Sequence, residues 1–333
     1  MSYFSDVERD LVVAARTVVA DGVVALDLVA HNGRDLPVWA PGSHVDVILS
    51  DARQTGAERV ERQYSLCGDG ADRSTWRVAV LREDAGRGGS VRVHDEVQVG
   101  QRLRVRGPRN HFSFDVVPGA TYHFVAGGIG ITPILSMVRA AAAAGAAWTL
   151  DYAGRSLSTM AFADVLGVLD GGRGRVRLHP SGEGSRIDVD ALADAGRAGA
   201  QVYACGPMRL IEALEDAFAE AGCPDALHVE RFEAIEYGEP VWPDAFEVEL
   251  ALSGDVVTVA PGQSVLEAIE EQSPETMVLS SCRRGTCGTC EVPVLEGEIE
   301  HRDSLLTPFE REQSAVMMAC VSRAACARIV LDV

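Results

Sequence analysis

The sequence predicts a multidomain protein in which an antiparallel β-barrel, a parallel α/β domain and a small mixed β domain follow one another. Alternating apolar and polar stretches, separated by turn residues, fill the first third of the chain, which is typical of a barrel. In the middle, two apolar strands each run into a glycine-containing turn and then into a helix. Near the C-terminus, a hairpin, a capped helix and a cysteine-rich loop follow in that order.

Composition and charge exclude several classes of protein. The 333 residues allow two or three domains, and the hydrophobic share of 47% with 24% charged residues is that of a globular protein. The net charge is −19 and all 30 basic residues are arginines without a basic run, so we expect no nucleic-acid partner. Residues 241–333 hold 16 acidic residues against 6 arginines, which either steers a basic partner or only confers solubility.

The N-terminal residues lack the basic and apolar regions of a signal peptide. The longest apolar stretch, residues 124–150, contains glycines and is interrupted by Arg139, so it does not predict a membrane span. We therefore expect a cytoplasmic protein that does not enter a membrane, and we expect a monomer. In that reducing compartment the eight cysteines do not indicate a disulfide framework.

Two segments of the predicted barrel combine arginine, hydroxyl and glycine residues. Residues 23–29 and 76–81 alternate as strands do. Between them lies the stretch Arg62-Gln63-Tyr64-Ser65-Leu66, and some twenty residues later the stretch Gly86-Arg87-Gly88-Gly89-Ser90. Backbone N–H groups of such a glycine-rich loop are able to bind a phosphate.

A glycine-rich turn follows the first strand of the predicted α/β domain. Residues 122–126 predict a buried strand, and Gly127-Gly128-Ile129-Gly130-Ile131-Thr132-Pro133 leads from it into a helix that ends near Ala144. Glycines let a pyrophosphate approach the backbone, and the helix dipole favours its negative charge. Pro133 replaces the third glycine of the usual dinucleotide motif, so a plain strand-to-helix turn is the alternative.

A second strand ends in the same way. Residues 202–205 run into Gly206-Pro207-Met208 and a helix over 209–220, and two such strand ends face one crevice in a parallel sheet. Cys205 lies either beside a nicotinamide or in the core. Arg155, which follows another strand, either meets the 2′-phosphate of NADPH or is an ordinary loop residue.

The cysteine loop has the spacing of a plant-type [2Fe–2S] cluster. Cys282, Cys287 and Cys290 form C-x4-C-x2-C, and Cys320 is the distant fourth ligand. Gly285 and Gly288 would let the loop wrap closely around the sulfurs. A structural zinc site is the alternative, although zinc modules usually supply their thiolates as two short pairs.

The context of the loop supports the cluster. Residues 246–250 and 256–259 predict a hairpin, and a helix follows from Ser264 to Glu271 with Glu267 in capping-box position. Cys326 precedes a closing strand and is interpreted as a structural thiol. The proline-containing segment 234–244 predicts a linker.

Together these ordered motifs resemble the phthalate dioxygenase reductase family, which includes the vanillate demethylase reductases. The resemblance implies a flavin-binding β-barrel in residues 1–114, a ferredoxin-reductase-type α/β nucleotide domain in 115–233, the linker 234–244, and a β-grasp ferredoxin domain in 245–333. It implies FMN rather than FAD, and NADH as the donor with NADPH as the alternative.

The resemblance also implies roles for single residues. Arg62 would bind the flavin phosphate with the 86–90 loop, Tyr64 the flavin, and Ser65 the region of its reactive N5. Phe232 would cover the flavin face, or else belong to the core. The candidate catalytic residues are therefore Ser65, Cys205 and Phe232. The candidate cofactor-binding residues are Arg62, Tyr64, Ser65, Leu66, Gly86, Arg87, Gly88, Gly89, Ser90, Gly127, Gly128, Gly130, Thr132, Pro133, Arg155, Cys205, Gly206, Pro207, Met208 and Phe232.

The expected function follows from the resemblance. A nicotinamide gives up two electrons as a hydride, whereas the cluster takes one at a time, so the flavin between them would split the pair. The final acceptor would be a Rieske-type oxygenase or demethylase, or a cytochrome P450. A flavin and iron–sulfur redox sensor and a self-contained small-molecule oxidase are the alternatives.

Overall fold

The computed structural model describes residues 7–50 and 60–333. The chain divides into two compact units, Met1–Glu230 and Arg231–Val333. The predicted fold class is confirmed: a β-barrel and a parallel α/β sheet make up the first unit, and a mixed sheet makes up the second. Among the described helices, none is long and apolar enough to cross a membrane.

The barrel consists of six antiparallel strands in the order β4-β3-β6-β1-β2-β5. A bridge between Leu66 and Val78 joins its two ends, and the Cys67 N–H donates to Arg77 O at 2.9 Å. Alternate residues fill its interior, as expected for a half-buried strand. The strands are β1 Glu8–Ala20, β2 Val23–Ala30, β3 His44–Ser50, β4 Val60–Ser65, β5 Thr75–Leu81 and β6 Arg102–Arg109.

A helix, α1 (Gly89–Glu96), lies between β5 and β6 where the sequence predicted only a loop. Gly88 precedes it with φ +75°, a conformation that favours glycine. The predicted loop therefore ends at Gly88, and Gly89 and Ser90 provide the first turn of α1. The N–H groups of a first turn have no partner within their own helix, so they remain available to an anion.

The second sheet of this unit is parallel, with the order β11-β10-β7-β8-β9. The apolar helix α2 packs against β7, β8 and β10, which explains why nearly all of its residues are buried. The strands are β7 Thr121–Gly127, β8 Ala147–Gly154, β9 Val176–Pro180, β10 Gln201–Cys205 and β11 Leu227–Glu230. The helices are α2 Ile131–Ala143, α3 Ala163–Asp170, α4 Val189–Arg197 and α5 Met208–Glu220.

The second unit has a five-stranded mixed sheet in the order β13-β12-β18-β14-β16. Its first and last strands in the chain, β12 and β18, pair in parallel at the centre of the sheet. The predicted hairpin and the capping box between Ser264 and Glu267 are both confirmed. The elements are β12 Phe246–Leu250, β13 Asp255–Val259, α6 Val265–Gln272, β14 Glu291–Glu296, β15 Ile299–Glu300, α7 Pro308–Gln313, β16 Val316–Met318, β17 Arg323–Ala324 and β18 Arg328–Leu331.

The predicted linker, residues 234–244, packs along the second unit. The Ile235 N–H donates to Ser304 Oγ at 3.3 Å, and the Tyr237 hydroxyl donates to Asp303 O at 2.9 Å. The Val241 N–H donates to a carboxylate oxygen of Glu300 at 2.9 Å. These hydrogen bonds make the segment part of the compact unit rather than a free spacer.

Candidate functional site

The cysteine loop brings four thiols together in a buried site. Cys282, Cys287, Cys290 and Cys320 are 2%, 1%, 2% and 7% exposed. The Sγ atoms of Cys290 and Cys320 lie 3.1 Å apart, and Cys282 contacts both Cys287 and Cys320. Three ligands come from one loop and the fourth from the turn after β16, as the spacing predicted.

The backbone of the loop is shaped around these sulfurs. The N–H groups of Arg284 and Thr286 donate to Cys282 Sγ at 3.3 and 3.4 Å. Gly285 has φ +70°, and a Cβ there would lie 2.6 Å from a methyl group of Val321. The neighbouring thiols of Cys287 and Cys320, together with these N–H groups, lower the pKa of Cys282, which favours the thiolate that binds iron.

On the barrel, β4 presents the residues expected to bind the flavin. Arg62 Nη2 donates to Arg87 O at 2.6 Å, and a Cβ at Gly89 would lie 2.5 Å from Arg62 Cγ. Arg62 therefore lies directly over the first turn of α1. A guanidinium beside a helix N-terminus suits a phosphate, so these residues fit the phosphate of a flavin nucleotide.

Tyr64 and Ser65 lie at the end of β4. Tyr64 packs against the barrel core, and Ser65 is 4% exposed. The Ser65 hydroxyl makes no hydrogen bond within residues 7–50 and 60–333, so it is available to a ligand atom. Leu66 differs from the prediction, because its side chain is fully buried in the barrel core.

The face of β4 opposite Arg62 and Tyr64 contains a buried ion network that the sequence analysis missed. Asp46 on β3 accepts hydrogen bonds from Arg106 Nε at 3.0 Å, Arg109 Nη1 at 2.8 Å and Gln63 Nε2 at 2.5 Å. Arg106 also donates to Glu61 at 2.6 Å. Because Glu61 and Gln63 alternate with Arg62 and Tyr64, the network holds the strand that presents the flavin residues.

A cavity of about 940 Å³ lies at the carboxyl ends of β7, β8, β9 and β10. The two predicted turns meet there, because a Cβ at Gly127 would lie 2.5 Å from Pro207 Cδ and one at Gly130 would lie 2.3 Å from Cys205 O. Only glycine allows this approach. The cavity size and the two turns fit a nicotinamide dinucleotide.

The structure divides the predicted nucleotide residues into two groups. Gly127, Gly128, Arg155 and Pro207 line the cavity. Gly130, Thr132, Pro133, Cys205, Gly206 and Met208 do not line it, and instead support its wall. Thr132, for example, donates from Oγ1 to Ile129 O at 2.9 Å and is buried.

Cys205 and Glu230 form a buried pair at the ends of β10 and β11. They are paired in register, and burial together with the Glu230 charge raises the pKa of the Cys205 thiol. Part of Glu230 reaches the surface, but its Oε2 is buried without a hydrogen-bond partner in residues 7–50 and 60–333, and burial raises the pKa of this carboxyl to about 8. At neutral pH, Cys205 is therefore a neutral thiol and Glu230 is mainly a neutral acid.

Phe232 lies beyond this pair, at the start of the second unit, and 43% of it is exposed. It is therefore not an ordinary core residue. Its predicted position over the flavin stays a prediction.

Residues 249–325 match the 2Fe-2S iron-sulfur cluster binding domain family. The chain is 39% identical over 316 residues to the carnitine monooxygenase reductase subunit of Escherichia coli K12, covering 94% of this chain and 95% of that protein. Phthalate dioxygenase reductase superposes with a TM-score of 0.67 at 32% identity, covering 98% of each chain. The chain belongs to the phthalate dioxygenase reductase family.

A solved type IV self-sufficient cytochrome P450 monooxygenase also contains this arrangement. It superposes with a TM-score of 0.88 at 44% identity over 98% of the present chain. The present chain spans 41% of the length of that protein. The same arrangement of domains therefore occurs both in a reductase of similar length and as part of a longer P450 monooxygenase.

The family assignment decides between the two interpretations of the cysteine loop. The match to a [2Fe–2S] domain spans Cys282, Cys287, Cys290 and Cys320, which supports the predicted cluster over the zinc alternative. Cys326 is half-buried, and its Sγ accepts from the Glu298 N–H at 3.4 Å, outside the four-thiol site. The chain is an oxidoreductase with a [2Fe–2S] cluster.

Proposed function

We propose that this reductase takes a hydride from NADH onto FMN and passes single electrons through its [2Fe–2S] cluster to an oxygenase component in the cytoplasm. One observation carries the proposal: the nucleotide cavity and the four-cysteine site occur in one chain. The names of the relatives support it, since they are reductase subunits of oxygenase systems. That support disfavours a redox sensor without turnover.

The residues of the chain would bind and orient the reactants. Arg62 and the first turn of α1 would bind the FMN phosphate, and the free Ser65 hydroxyl would bond to the flavin near N5. The Gly127 and Pro207 turns would position the nicotinamide nucleotide, since hydride transfer depends on close approach and needs no general acid or base in the donor. When bound, FMN accepts an electron pair and returns the electrons singly, as a one-electron cluster requires.

The proposed partner is a Rieske-type oxygenase or demethylase, with a cytochrome P450 as the alternative. The relatives include a carnitine monooxygenase reductase subunit and the beta subunit of a heme-dependent oxidative N-demethylase of Ectopseudomonas mendocina, 40% identical over 299 residues. The chemistry of electron delivery from the cluster is the same for each acceptor. We also propose that the chain works as a monomer.

An anaerobic NADH titration of the purified protein, followed by visible absorbance, tests the relay. FMN takes two electrons and the cluster takes one, so we expect both sets of bands to bleach with about 1.5 NADH per chain. Release of FMN and not FAD on denaturation identifies the flavin. Absence of iron–sulfur absorbance, or a cluster that NADH does not reduce, would overturn the proposal.

Cys290→Ser separates the two halves of the relay. We expect electron delivery to a one-electron protein acceptor to be lost, while NADH–ferricyanide activity continues because the flavin remains. Cys326→Ser, in the same unit but outside the cluster, is the matched control and should keep both activities. Loss of both activities in Cys290→Ser alone would contradict independent function of the two units.

A further inference from the structure

A second cavity, of about 560 Å³, lies within the second unit and reaches the four-cysteine site. Cys320 lines it, whereas Cys282, Cys287 and Cys290 do not. Cys320 is also the most exposed of the four thiols, at 7% against 1–2% for the others. We call this cavity the Cys320 cleft, and its lining residues lie in 234–243, 261–267, 283–284, 302 and 320–323. The cleft is therefore the side on which the cysteine site is most open.

Basic residues are concentrated at this cleft. Residues 241–333 contain 6 arginines against 16 acidic residues. Four of those 6 arginines line the cleft, namely Arg283, Arg284, Arg302 and Arg323. Among the described residues, two carboxylates line it, Glu239 and Glu267. The second unit is thus acidic as a whole but basic around Cys320.

The carboxylates of the chain compensate only part of this charge. Arg283 pairs with Glu270, and Arg302 pairs with Glu300 at 3.1 Å. Glu267 accepts hydrogen bonds from the N–H and the hydroxyl of the residue that caps α6, both at 2.9 Å. These pairs leave the other two arginines of the cleft without a carboxylate partner among the described residues.

Those two arginines, Arg284 and Arg323, are available to an anion. Arg284 is exposed, and its guanidinium makes no hydrogen bond or ion pair with any residue in 7–50 or 60–333. Arg323 is 5% exposed, its Nη1 donates to Gln263 O at 2.5 Å, and its Nε is buried without a partner in the same residues. Burial and the neighbouring Arg302 charge lower the pKa of Arg323. A carboxylate in the cleft would compensate both effects.

The distribution of charge favours a protein with an acidic surface as the occupant. Guanidinium groups bind carboxylates with two hydrogen bonds, which suits Asp and Glu side chains of a partner. At physiological salt, charges are screened beyond about 8 Å, so the arginines of the cleft outweigh the distant acidic surface for a group that lies close to Cys320. The acidic remainder of the unit would repel the same partner, which restricts its attachment to the cleft.

We propose that the Cys320 cleft is the docking surface for an electron-acceptor protein whose contact surface is acidic. Carboxylates of the acceptor bind to Arg284 and Arg323, and its redox centre then lies at the side of the cysteine site that Cys320 exposes. One electron passes from the reduced protein to the acceptor, and no bond or proton is transferred. The inference rests on the proposed function and adds the charge of the partner, which is opposite to the basic partner that the acidic excess of residues 241–333 suggested.

Binding of cytochrome b5, an acidic heme protein, to the oxidised full-length protein tests the surface without turnover. By calorimetry at low ionic strength, we expect Arg284→Gln to weaken binding about fivefold or more, and Arg284→Lys to stay within about threefold of the wild type because it keeps the charge. Arg328→Gln, at an exposed arginine of the same unit outside the cleft, is the matched control. Equal weakening by Arg284→Gln and Arg328→Gln would assign the effect to net charge and overturn the inference. Failure of cytochrome b5 to bind the wild type would also overturn it.

Reduction kinetics with acceptors of opposite charge test whether docking at the cleft leads to electron transfer. We expect kcat/KM for cytochrome b5 to fall as salt is added, and to fall about fivefold in Arg284→Gln at low salt, whereas the value for basic cytochrome c should not fall. An equal fall for both acceptors would show that Arg284 acts on the cysteine site rather than on docking. If NADH does not bleach the visible bands of the wild type, the proposed function fails. Bleaching combined with salt-independent reduction of cytochrome b5 would overturn this inference alone.

Two other occupants of the cleft would give different results. Inorganic phosphate, compared with chloride at equal ionic strength, should not displace cytochrome b5, and displacement would assign the cleft to a small anion. Sedimentation should give a monomer at low salt. A wild-type dimer that Arg284→Gln separates would assign the cleft to a second copy of the chain, and either result would overturn the docking of an acceptor.

Discussion

In the first unit, the buried carboxyl groups of Asp46 and Glu230 have pKa values shifted in opposite directions. Asp46 lies between Arg106 and Arg109, and although burial alone would raise its pKa, those arginines, His44 and the Gln63 bond lower it. Glu230 has no such partner in the part of the chain that the structure describes, and burial raises its pKa to about 8. Asp46 therefore stays charged although it is buried, because its partners compensate for the lost hydration. Glu230 is neutral at pH 7, because no cation or hydrogen-bond donor among the described residues compensates for its burial.

Asp46 and Glu230 also differ in the part of the fold that they contact. Asp46 joins β3 to β4 and β6, and β4 carries Arg62 and Ser65. Glu230 lies beside Cys205 at the strand ends that close the nucleotide crevice. The charged Asp46 carboxylate thus helps to fix the register of the barrel strands through its hydrogen bonds, whereas the Glu230 carboxyl is buried in its neutral form.

Arg106→Leu gives the largest expected effect. It leaves the Asp46 and Glu61 carboxylates buried without their shared partner, so we expect the unfolding free energy to fall by about 3–5 kcal/mol. Chemical denaturation at neutral pH measures it. The neighbouring Arg104→Leu removes exposed pairs with Glu8 and Asp10 and should cost less than about 1 kcal/mol. Similar losses in the two variants would show that the network is not the stabilising feature.

Glu230→Gln should affect stability only at high pH. The folded pKa of Glu230 lies above its unfolded value of 4.5, so the wild type loses stability as pH rises from about 4.5 to 8. The glutamine variant has no such loss, and it should gain up to about 5 kcal/mol relative to the wild type above pH 8. Denaturation at pH 5 and pH 9 measures the difference, with exposed Glu233→Gln as the control. A gain that does not depend on pH would contradict the raised pKa.

The Asp46 network should give the opposite dependence. The folded pKa of Asp46 is lowered, so its contribution is complete above the unfolded pKa and is lost as pH falls through the folded value. Gln63→Leu removes one hydrogen bond of that carboxylate, and we expect a loss of about 1–3 kcal/mol at pH 7 that shrinks toward acid pH. A constant loss down to the acid transition would show that Gln63 supports packing rather than the charge of Asp46.

The sequence predicted the cluster better than it predicted these carboxylates. Three of the four ligands are within nine residues, so their spacing alone carries the geometry. Asp46 and Arg106 are 60 positions apart and meet only through the pairing of β3 with β6. A carboxylate between Val45 and Val47 in an apolar strand was the available signal, because a charge at such a position needs a partner.

The sequence analysis also missed helix α1 and the burial of Glu230, because both depend on contacts that only the folded chain makes. The glycines at 86–89 indicate a loop, whereas the chain uses Gly88 to start a helix under Arg62. The motif Glu230-Arg231-Phe232 was visible in the sequence, but only the fold shows that the Glu230 carboxylate is buried beside Cys205. Residues 51–59 of the predicted barrel lie outside the described residues.

Ser65→Ala gives the smallest expected effect and separates the role of its hydroxyl from the position of β4. The Ser65 hydroxyl has no partner in the described protein, so its loss should leave stability unchanged within about 0.5 kcal/mol. If the hydroxyl bonds to the flavin during hydride transfer, flavin reduction by NADH should slow about tenfold or more while FMN remains bound. Anaerobic stopped-flow absorbance measures the rate, and Gln63→Leu, two residues earlier on the same face of β4, is the matched comparison. An unchanged rate in Ser65→Ala would remove Ser65 from the chemistry, and an equal slowing in Gln63→Leu would assign the effect to the position of the strand rather than to the hydroxyl.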